Sequence, residues 1–181
     1  MCGIVGVAAE RNATPILVRG LQRLEYRGYD SAGVAAIGPN GDIIRSRQIG
    51  KVQNLVDALE QAPVTGGTGI AHTRWATHGK VTVENAHPHL STSSDDRQDV
   101  SLVHNGIIEN HAALRQELKG LGYAFTSETD SEVIVHLIHY YLQSDQDLLD
   151  AVRQALRRLD GAYALAVIAA GEHQRGIARR Q

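Results

Sequence analysis

The sequence predicts an α+β fold in which helices cover antiparallel sheets. Two observations carry this prediction. Several short apolar runs come in pairs joined by tight turns, as in hairpins, and other apolar runs are separated by segments with helical periodicity. Hydrophobic residues make up 43% of the 181 residues, whereas aromatic residues make up only 4%. The core must therefore consist mainly of aliphatic side chains.

The first half of the chain predicts four strands and two helices. The apolar run at the N-terminus is bounded by charged residues, which favours a buried strand. Thr14 and Pro15 predict a helix start, with threonine as the cap and proline at the first helical position. The sequence GPNGD predicts a hairpin turn. In order, the predicted elements are strand Gly3–Ala9, a helix from Pro15, strands Gly33–Ile37 and Ile43–Arg47, helix Val52–Gln61 and strand Ile70–Thr73.

The second half predicts a long loop followed by two strands and three helices. The stretch Trp75–Gln98 has no periodicity, and loops of this length are usually functional or mobile. Thr129 and Glu132 have the spacing of a capping box. The remaining predicted elements are strand Val100–His104, helix Asn110–Leu121, a helix from Thr129 to Tyr141, helix Leu148–Leu159 and strand Tyr163–Ala169.

Charge and cysteine content exclude several classes of function. The net charge of −2 argues against nucleic-acid binding, which needs a clustered basic field. A single cysteine allows no internal disulfide, which is typical of a reducing compartment. The apolar run Ile4–Ala9 is too short for a signal peptide or a membrane span. We expect a cytoplasmic protein without membrane attachment.

The only cysteine is the second residue, and this position gives it a possible chemistry. Removal of Met1 would leave Cys2 with a thiol and a free α-amine. An α-amine has a pKa of about 7.7–8.0, so it can serve as the general base for its own side chain. A lone cysteine is more often a small buried hydrophobe. The interpretation therefore depends on residues elsewhere in the chain.

Four segments supply that context: MCGIVG, LEYRGYDSAG, HTRWATHG and VHNG. In this order they resemble the glutaminase domain of class II glutamine amidotransferases, a family with an N-terminal cysteine nucleophile. The resemblance runs from Cys2 to about Ala169. It implies a four-layer αββα sandwich of the N-terminal-nucleophile hydrolase type and one glutaminase domain over residues 2–181. The sequences of the second and third segments are similar to those of family members that aminate fructose 6-phosphate. Amidophosphoribosyltransferases instead have an HRGQ-SAG type segment.

The resemblance assigns the reacting groups. It implies that Cys2 attacks the side-chain amide of glutamine, that ammonia leaves, and that water releases glutamate from a γ-glutamyl thioester. The Asn105 side chain and the Gly106 backbone N–H match the family's oxyanion hole, which stabilises the tetrahedral intermediates. On its own, an Asn-Gly pair also predicts a tight turn, and a turn after a strand would aim a backbone N–H outward.

The resemblance also assigns the groups that hold the amino-acid end of glutamine. Arg74 matches the anchor of the α-carboxylate, which a guanidinium can bind with two parallel hydrogen bonds. Asp130 matches the anchor of the α-ammonium. From the residues alone, Arg74 could be a solvated surface charge. Asp130 could simply be an acidic residue that favours the N-terminus of a helix.

The loop after Arg74 completes the predicted site. Trp75 lies in the stretch without periodicity, so a core position is less expected than for most tryptophans. In the family this loop closes over glutamine and the tryptophan gates the path of ammonia. Thr77, His78 and Gly79 match the backbone that contacts the substrate. Arg27 matches an arginine near the nucleophile.

Nine histidines raise the alternative of a metal site. Four of them crowd one region: His72, His78, His87 and His89. The sequence offers neither a second cysteine nor a helical His-x-x-x-His pair there, so we predict no metal and no cofactor. His87 is predicted to position the loop. His136 and His139 lie three apart on a predicted helix, where we expect them to be partly exposed.

The predicted function is hydrolysis of L-glutamine. The resemblance implies that the ammonia reaches fructose 6-phosphate in a further region, which 181 residues do not contain, and that the full enzyme is a homodimer making glucosamine 6-phosphate. Two alternatives stay open: the glutaminase domain of an amidophosphoribosyltransferase-like enzyme, and a glutamine-binding module without catalysis. A papain-like protease is excluded because its Cys–Trp signature is absent.

Overall fold

In a computed structural model, which describes residues 2–76, 79–92, 99–144, 147–171 and 176–180, two antiparallel sheets face each other with helices on both outer sides. The predicted αββα order of layers is therefore confirmed. The first half contains β1 (Gly3–Ala8), α1 (Thr14–Leu24), β2 (Ser31–Ile37), β3 (Ile43–Ile49), α2 (Val52–Gln61) and β4 (Thr68–Arg74). The second half contains β5 (His89–Ser91), β6 (Val100–Ile108), α3 (His111–Gly120), α4 (Asp130–Leu142), α5 (Leu148–Leu156), β7 (Gly161–Ala169) and β8 (Gly176–Arg180).

Each sheet has four strands, and the strand order brings the predicted site segments to adjacent positions. The first sheet has the order β1-β4-β2-β3, so the strand that follows Cys2 pairs directly with the strand that ends at Arg74. The second sheet has the order β5-β6-β7-β8. None of the helices in the described residues is long and apolar enough to cross a membrane.

The core consists of three apolar layers of mostly aliphatic residues. Between the two sheets lie Ala35, Ile37, Ile70, Val103, Ala166 and Ile168. The helices α1 and α2 cover the outer face of the first sheet, and α3, α4 and α5 cover the outer face of the second. Every residue of β2 is buried, because that strand is covered on both faces. The packed sheets fix the relative positions of the strand ends that carry the site.

The Asn105–Gly106 pair lies inside β6 and not in the turn that the dipeptide favours. The strand continues to Ile108, and Gly106 pairs with Tyr163 of β7. Gly106 has a φ of 133°, and a Cβ atom there would collide with the carbonyl oxygen of Ala162. Pairing across the sheet has therefore overridden the local turn preference. Glycine is required here because of the positive φ and because a Cβ atom would not fit.

Both predicted helix starts differ in their hydrogen bonds. Ala13 occupies the N-cap position of α1, and the Thr14 hydroxyl donates to the carbonyl oxygen of Val64 at 2.6 Å. Thr129 is the N-cap of α4, but its hydroxyl lies 3.0 Å from Nε2 of His89. The Glu132 carboxylate accepts from the backbone amides of Thr126 and Ser127. The predicted capping box is therefore wrong, because tertiary partners take both side chains.

His136 and His139 are buried, so the expectation of partial exposure is wrong. Only 6% of His136 and 2% of His139 is exposed. Nδ1 of His136 lies 2.8 Å from the Ser91 hydroxyl, and the Tyr123 hydroxyl lies 2.8 Å from Nδ1 of His139. The reason is that α4 packs against β5, β6, α3 and α5 and presents little surface to solvent.

The sequence pattern predicts neither β5 nor β8.

Candidate active site

The first sheet places Cys2 beside the residue that follows β4. Because Gly3 pairs with Thr73, the end of β4 reaches the N-terminal side of β1. The Trp75 backbone N–H donates to Sγ of Cys2 at 3.2 Å, and Sγ lies 3.6 Å from the Trp75 carbonyl oxygen. The thiol is thus held by the backbone of the segment that the sequence predicted to close over a substrate. Trp75 itself is 52% exposed, as its position in the unpatterned stretch predicted.

Asn105 reaches Cys2 from the second sheet. Its side-chain amide nitrogen donates to the carbonyl oxygen of Cys2 at 3.3 Å. Its amide oxygen lies 2.6 Å from Nε2 of His72. Burial lowers the pKa of His72 to about 4, so the ring is neutral near pH 7. Because an amide oxygen only accepts, Nε2 must carry the proton, and this bond turns the Asn105 NH₂ toward Cys2.

Arg74 is buried, so the alternative of a solvated surface charge is wrong. Only 5% of the residue is exposed. Its Nη1 lies 3.8 Å from Oδ1 of Asp30 and donates to the Lys80 carbonyl oxygen at 3.5 Å. A buried guanidinium of this kind is costly unless charges and hydrogen bonds surround it. This cost indicates a specific use for the side chain at the end of β4.

Asp130 stands on the opposite side of the site, at the first position of α4. Its Oδ2 accepts from the backbone N–H of Ile108 at 2.9 Å, which ties the helix to the end of β6. Its Oδ1 lies 3.8 Å from Nδ1 of His104. The location also suits a carboxylate because a helix N-terminus favours negative charge. Asp130 therefore combines a structural contact with a carboxylate that lines the same pocket as Cys2.

One pocket collects most of the predicted residues. It is lined by Cys2, Arg74, Trp75, His87, His104, Gly106, Thr129, Asp130 and Ser131. Its volume is about 30 Å³. Pockets that bury drug-sized ligands measure about 300–1,000 Å³, so an amino acid can enter only if the pocket widens. The exposed Trp75 side chain is the part of the lining that is best placed to move.

Three predicted residues lie outside this lining, and two lie outside the described residues. Gly79 has a φ of 75°, and a Cβ atom there would meet Asn85 and Glu128, which do not line the pocket. Arg27 lies in a 3₁₀ turn, Glu25–Arg27, where its Nε donates to the Tyr26 hydroxyl. Asn105 touches the Cys2 backbone from behind the pocket. The two outside the described residues are Thr77 and His78.

A group of buried histidines lies behind the pocket. His87, predicted as a loop-positioning residue, has its ring 4.4 Å from that of His72 and 4.7 Å from that of His89. The Ser131 hydroxyl lies 2.8 Å from both Nε2 of His87 and Nδ1 of His104. Burial lowers the pKa of each of these histidines below its ordinary value, so all are neutral near pH 7. Within the described residues no cluster of three or more histidine, cysteine or acidic side chains could hold a metal.

The sequence prediction did not assign five contributors to the site: Asp30, His72, His104, Thr129 and Ser131. The first three lie within the segments LEYRGYDSAG, HTRWATHG and VHNG, and the other two flank Asp130. Adjacency to a motif is therefore the one signal that could have found them. Their contacts cross between sheets or between strand and helix, which no local pattern reports.

Comparison with known proteins gives the family. A model described as a glutamine amidotransferase domain matches residues 72–181. Glutamine–fructose-6-phosphate aminotransferase [isomerizing] of Pseudomonas putida KT2440 is 61% identical over 180 residues, which is 99% of this chain and 29% of that protein. The protein of the same name from Pseudomonas aeruginosa PAO1 is 59% identical over the same span. The chain thus covers less than a third of these relatives.

A solved structure supports the fold assignment independently. The glutamine phosphoribosylpyrophosphate amidotransferase of B. subtilis, complexed with ADP and GMP, superposes with a TM-score of 0.78 at 30% identity. The match covers 93% of this chain and 35% of that one. The αββα arrangement is therefore shared with an amidotransferase of known structure. Because the family model matches more than half of its residues, this chain belongs to the glutamine amidotransferase domain family.

Proposed function

We propose that this chain, as one glutaminase domain over residues 2–181, hydrolyses L-glutamine to glutamate and ammonia through a thioester on Cys2. The observation that carries the proposal is the pocket itself. It brings a thiol together with a buried guanidinium and a carboxylate, which match the three groups needed for the amide, the α-carboxylate and the α-ammonium of glutamine. Membership of the glutamine amidotransferase family supports the same assignment.

The reaction needs a free N-terminal amine. After removal of Met1, the α-amine of Cys2 takes the thiol proton and the sulfur attacks the δ-carbon of glutamine. The negative charge that develops on the amide oxygen is stabilised by the Asn105 side-chain NH₂ and the Gly106 backbone N–H. The amine then gives its proton to the leaving ammonia. Water attacks the thioester by the same route and releases glutamate.

Two charged groups hold the substrate in register. Arg74 binds the α-carboxylate and Asp130 binds the α-ammonium, so the side-chain amide points toward Sγ of Cys2. Neutral His72 holds the Asn105 amide oxygen through its Nε2, which leaves the NH₂ on the side of Cys2, where it bonds the Cys2 carbonyl oxygen. Fixing the reacting atoms in this way reduces the entropic part of the barrier.

The segment after β4 provides access and closure. The Trp75 backbone stays bonded to Sγ, whereas its half-exposed side chain moves to open the pocket and returns to enclose the substrate. In the proposal Trp75 also gates the path of ammonia. Thr77, His78 and Gly79 contact glutamine through their backbone, and Arg27 and His87 support this segment and the nucleophile.

The acceptor of ammonia belongs to a larger protein. The fructose-6-phosphate aminotransferases that resemble this chain at 59–61% identity are more than three times its length. We expect that, within a protein of that kind, the ammonia reaches fructose 6-phosphate and gives glucosamine 6-phosphate in a homodimer. An amidophosphoribosyltransferase-like role is the second candidate, favoured by the superposed B. subtilis structure. A longer protein that contains this chain would distinguish them by its use of fructose 6-phosphate or phosphoribosylpyrophosphate.

The direct test is glutamine hydrolysis by the 181-residue chain, with Met1 removal verified by intact mass. We expect equal amounts of glutamate and ammonia and no sugar product. Cys2→Ala should abolish turnover and leave the thermal midpoint unchanged, because the side chain lies at the chain end. Turnover by Cys2→Ala would refute the nucleophile. Glutamine binding without hydrolysis by the processed chain would support a non-catalytic binding module.

A further inference from the structure

Asp30 is joined to the candidate site by its backbone as well as by its side chain. Its N–H donates to the carbonyl oxygen of Arg74 at 2.7 Å, and its own carbonyl accepts from the N–H of Gly50 at 2.7 Å. The residue directly precedes β2, whose first position, Ser31, pairs with Arg74. Asp30 is thus fixed against the end of β4 before its side chain is considered.

The Asp30 carboxylate joins two parts of the site. Its Oδ2 accepts from the backbone N–H of Ala76, and its Oδ1 lies 3.8 Å from Nη1 of Arg74. The Ser31 hydroxyl donates to the same Oδ1 at 2.9 Å. One side chain therefore faces both the buried guanidinium and the backbone immediately after Trp75.

Successive amides of that backbone have different partners. The Trp75 N–H donates to Sγ of Cys2, and the next N–H, that of Ala76, donates to Asp30. The segment is therefore fixed between the nucleophile and the carboxylate. A shift of Asp30 would displace the guanidinium and the amide that contacts the sulfur together. The carboxylate also supplies negative charge to a guanidinium that is almost fully buried.

We propose that Asp30 is a positioning residue that acts through Arg74 on glutamine binding and through Ala76 on the segment that holds Cys2. The proposal rests on the proposed function, since it assigns Arg74 to the α-carboxylate of the substrate. Asp30 does not touch the reacting atoms. Its negative charge orients Arg74, and its Oδ2 accepts the hydrogen bond from the Ala76 N–H. Substitutions can therefore separate the two contributions.

Two substitutions separate them. Asp30→Asn keeps an oxygen for the Ala76 N–H but removes the charge, so we expect KM for glutamine to rise about tenfold while kcat changes by less than about threefold. Asp30→Ala removes both contacts and should lower kcat as well. Asp57→Asn is the matched control, because Asp57 also accepts a side-chain hydrogen bond but lies on the exposed face of α2. It should leave both constants unchanged.

A second measurement does not depend on turnover. Iodoacetamide alkylates a thiol without needing Arg74, and glutamate, which carries the α-carboxylate, should protect Cys2 against it. In Asp30→Asn we expect an unchanged alkylation rate and an about tenfold higher glutamate concentration for half-protection. Combination with Arg74→Lys should add little to the single Arg74 variant, because both changes act on the same contact.

The outcomes separate this proposal from the proposed function. Unchanged KM and unchanged protection in Asp30→Asn would overturn the positioning role. Equal losses in alkylation, binding and thermal midpoint would also overturn it, since they indicate general damage to the fold. If the wild-type chain fails to hydrolyse glutamine but glutamate still protects it, the function fails while Asp30 is still tested. If glutamate gives no protection to the wild type, the positioning role is rejected, whereas hydrolysis of glutamine alone decides the proposed function.

Discussion

The two sheets contribute to the candidate site in different ways. The first sheet provides Cys2, whose Sγ accepts from the Trp75 N–H, and Arg74, which ends β4 directly before this exposed tryptophan. The second sheet provides Asn105 and, through the start of α4, Asp130. These two are fixed by a neutral histidine and by the Ile108 amide. In the proposed function, the Trp75 side chain on the first sheet opens the pocket, and the second sheet presents the oxyanion donors and the charge for the α-ammonium.

The difference teaches where binding and where rate enhancement should be sensitive to change. Stabilisation of developing charge requires donors that do not reorganise, and the proposed function takes them from the packed second sheet. Entry of a substrate into a pocket of about 30 Å³ requires a movable wall, and the exposed Trp75 side chain is the candidate for it. Variants on the two sides should therefore affect different kinetic constants.

The largest effect is expected from Asn105→Ala. Loss of an oxyanion donor should reduce kcat by about 10²–10³, or about 2.7–4 kcal/mol of transition-state stabilisation, with little change in KM. Steady-state kinetics with glutamine measures both constants. A rise in KM at constant kcat would mean that Asn105 contacts the ground state, and the contrast between the two sheets would be lost.

A smaller effect is expected on the free energy of unfolding when the pH is lowered. This effect tests whether the buried histidines are neutral. The pKa of His72 is about 4 in the folded chain, and its ordinary value is 6.5. Above pH 6.5 the ring is therefore neutral in both the folded and the unfolded chain and does not change stability. Below pH 6.5 the unfolded chain binds protons that the folded chain excludes. Stability should fall with pH, by about 2 kcal/mol at pH 5 from His72 alone.

Urea unfolding at several values between pH 7.5 and pH 5 measures this loss. His72→Gln keeps a donor for Asn105 and should show a shallower dependence on pH. Glu132 does not contribute to the change in stability between pH 7.5 and pH 5. Its pKa is lowered in the folded chain, so its contribution to stability is lost only below its ordinary pKa near 4.5. An unchanged slope in His72→Gln would contradict the burial of a neutral imidazole at this position.

The smallest effect is expected from Asp130→Asn. The amide oxygen can still accept from the Ile108 N–H, so the helix start should stay in place while the charge for the α-ammonium is lost. We expect KM for glutamine to rise about tenfold with a thermal midpoint near that of the wild type. Asp130→Asn should also weaken binding of glutamine analogues that keep the amine but lack the carboxylate, whereas Asp30→Asn should not. Identical patterns in the two variants would show that the carboxylates are not distinct.

Local sequence patterns predicted most elements of the fold. Helix α2 matches its predicted bounds, and β1, β3 and β7 differ by a few residues, because apolar periodicity and turn residues act within a few positions of the chain. β5 was missed since its three residues are too short to show a period. The candidate site could be predicted only through the resemblance, as Arg74 and Asp130 each fitted a simple alternative.

The sequence by itself determined the α+β class and the order of the elements. It also determined that the only thiol belongs to the residue that carries the free α-amine once Met1 is removed. Only the tertiary structure decided that Asn105–Gly106 continues a strand, that Arg74 is buried, and that His72 and Asp30 contact predicted site residues. The physical reason is that these features depend on pairing between strands and on packing between sheets. Those contacts join residues such as Cys2 and Asn105, which are far apart in the chain, and no local pattern encodes their distance.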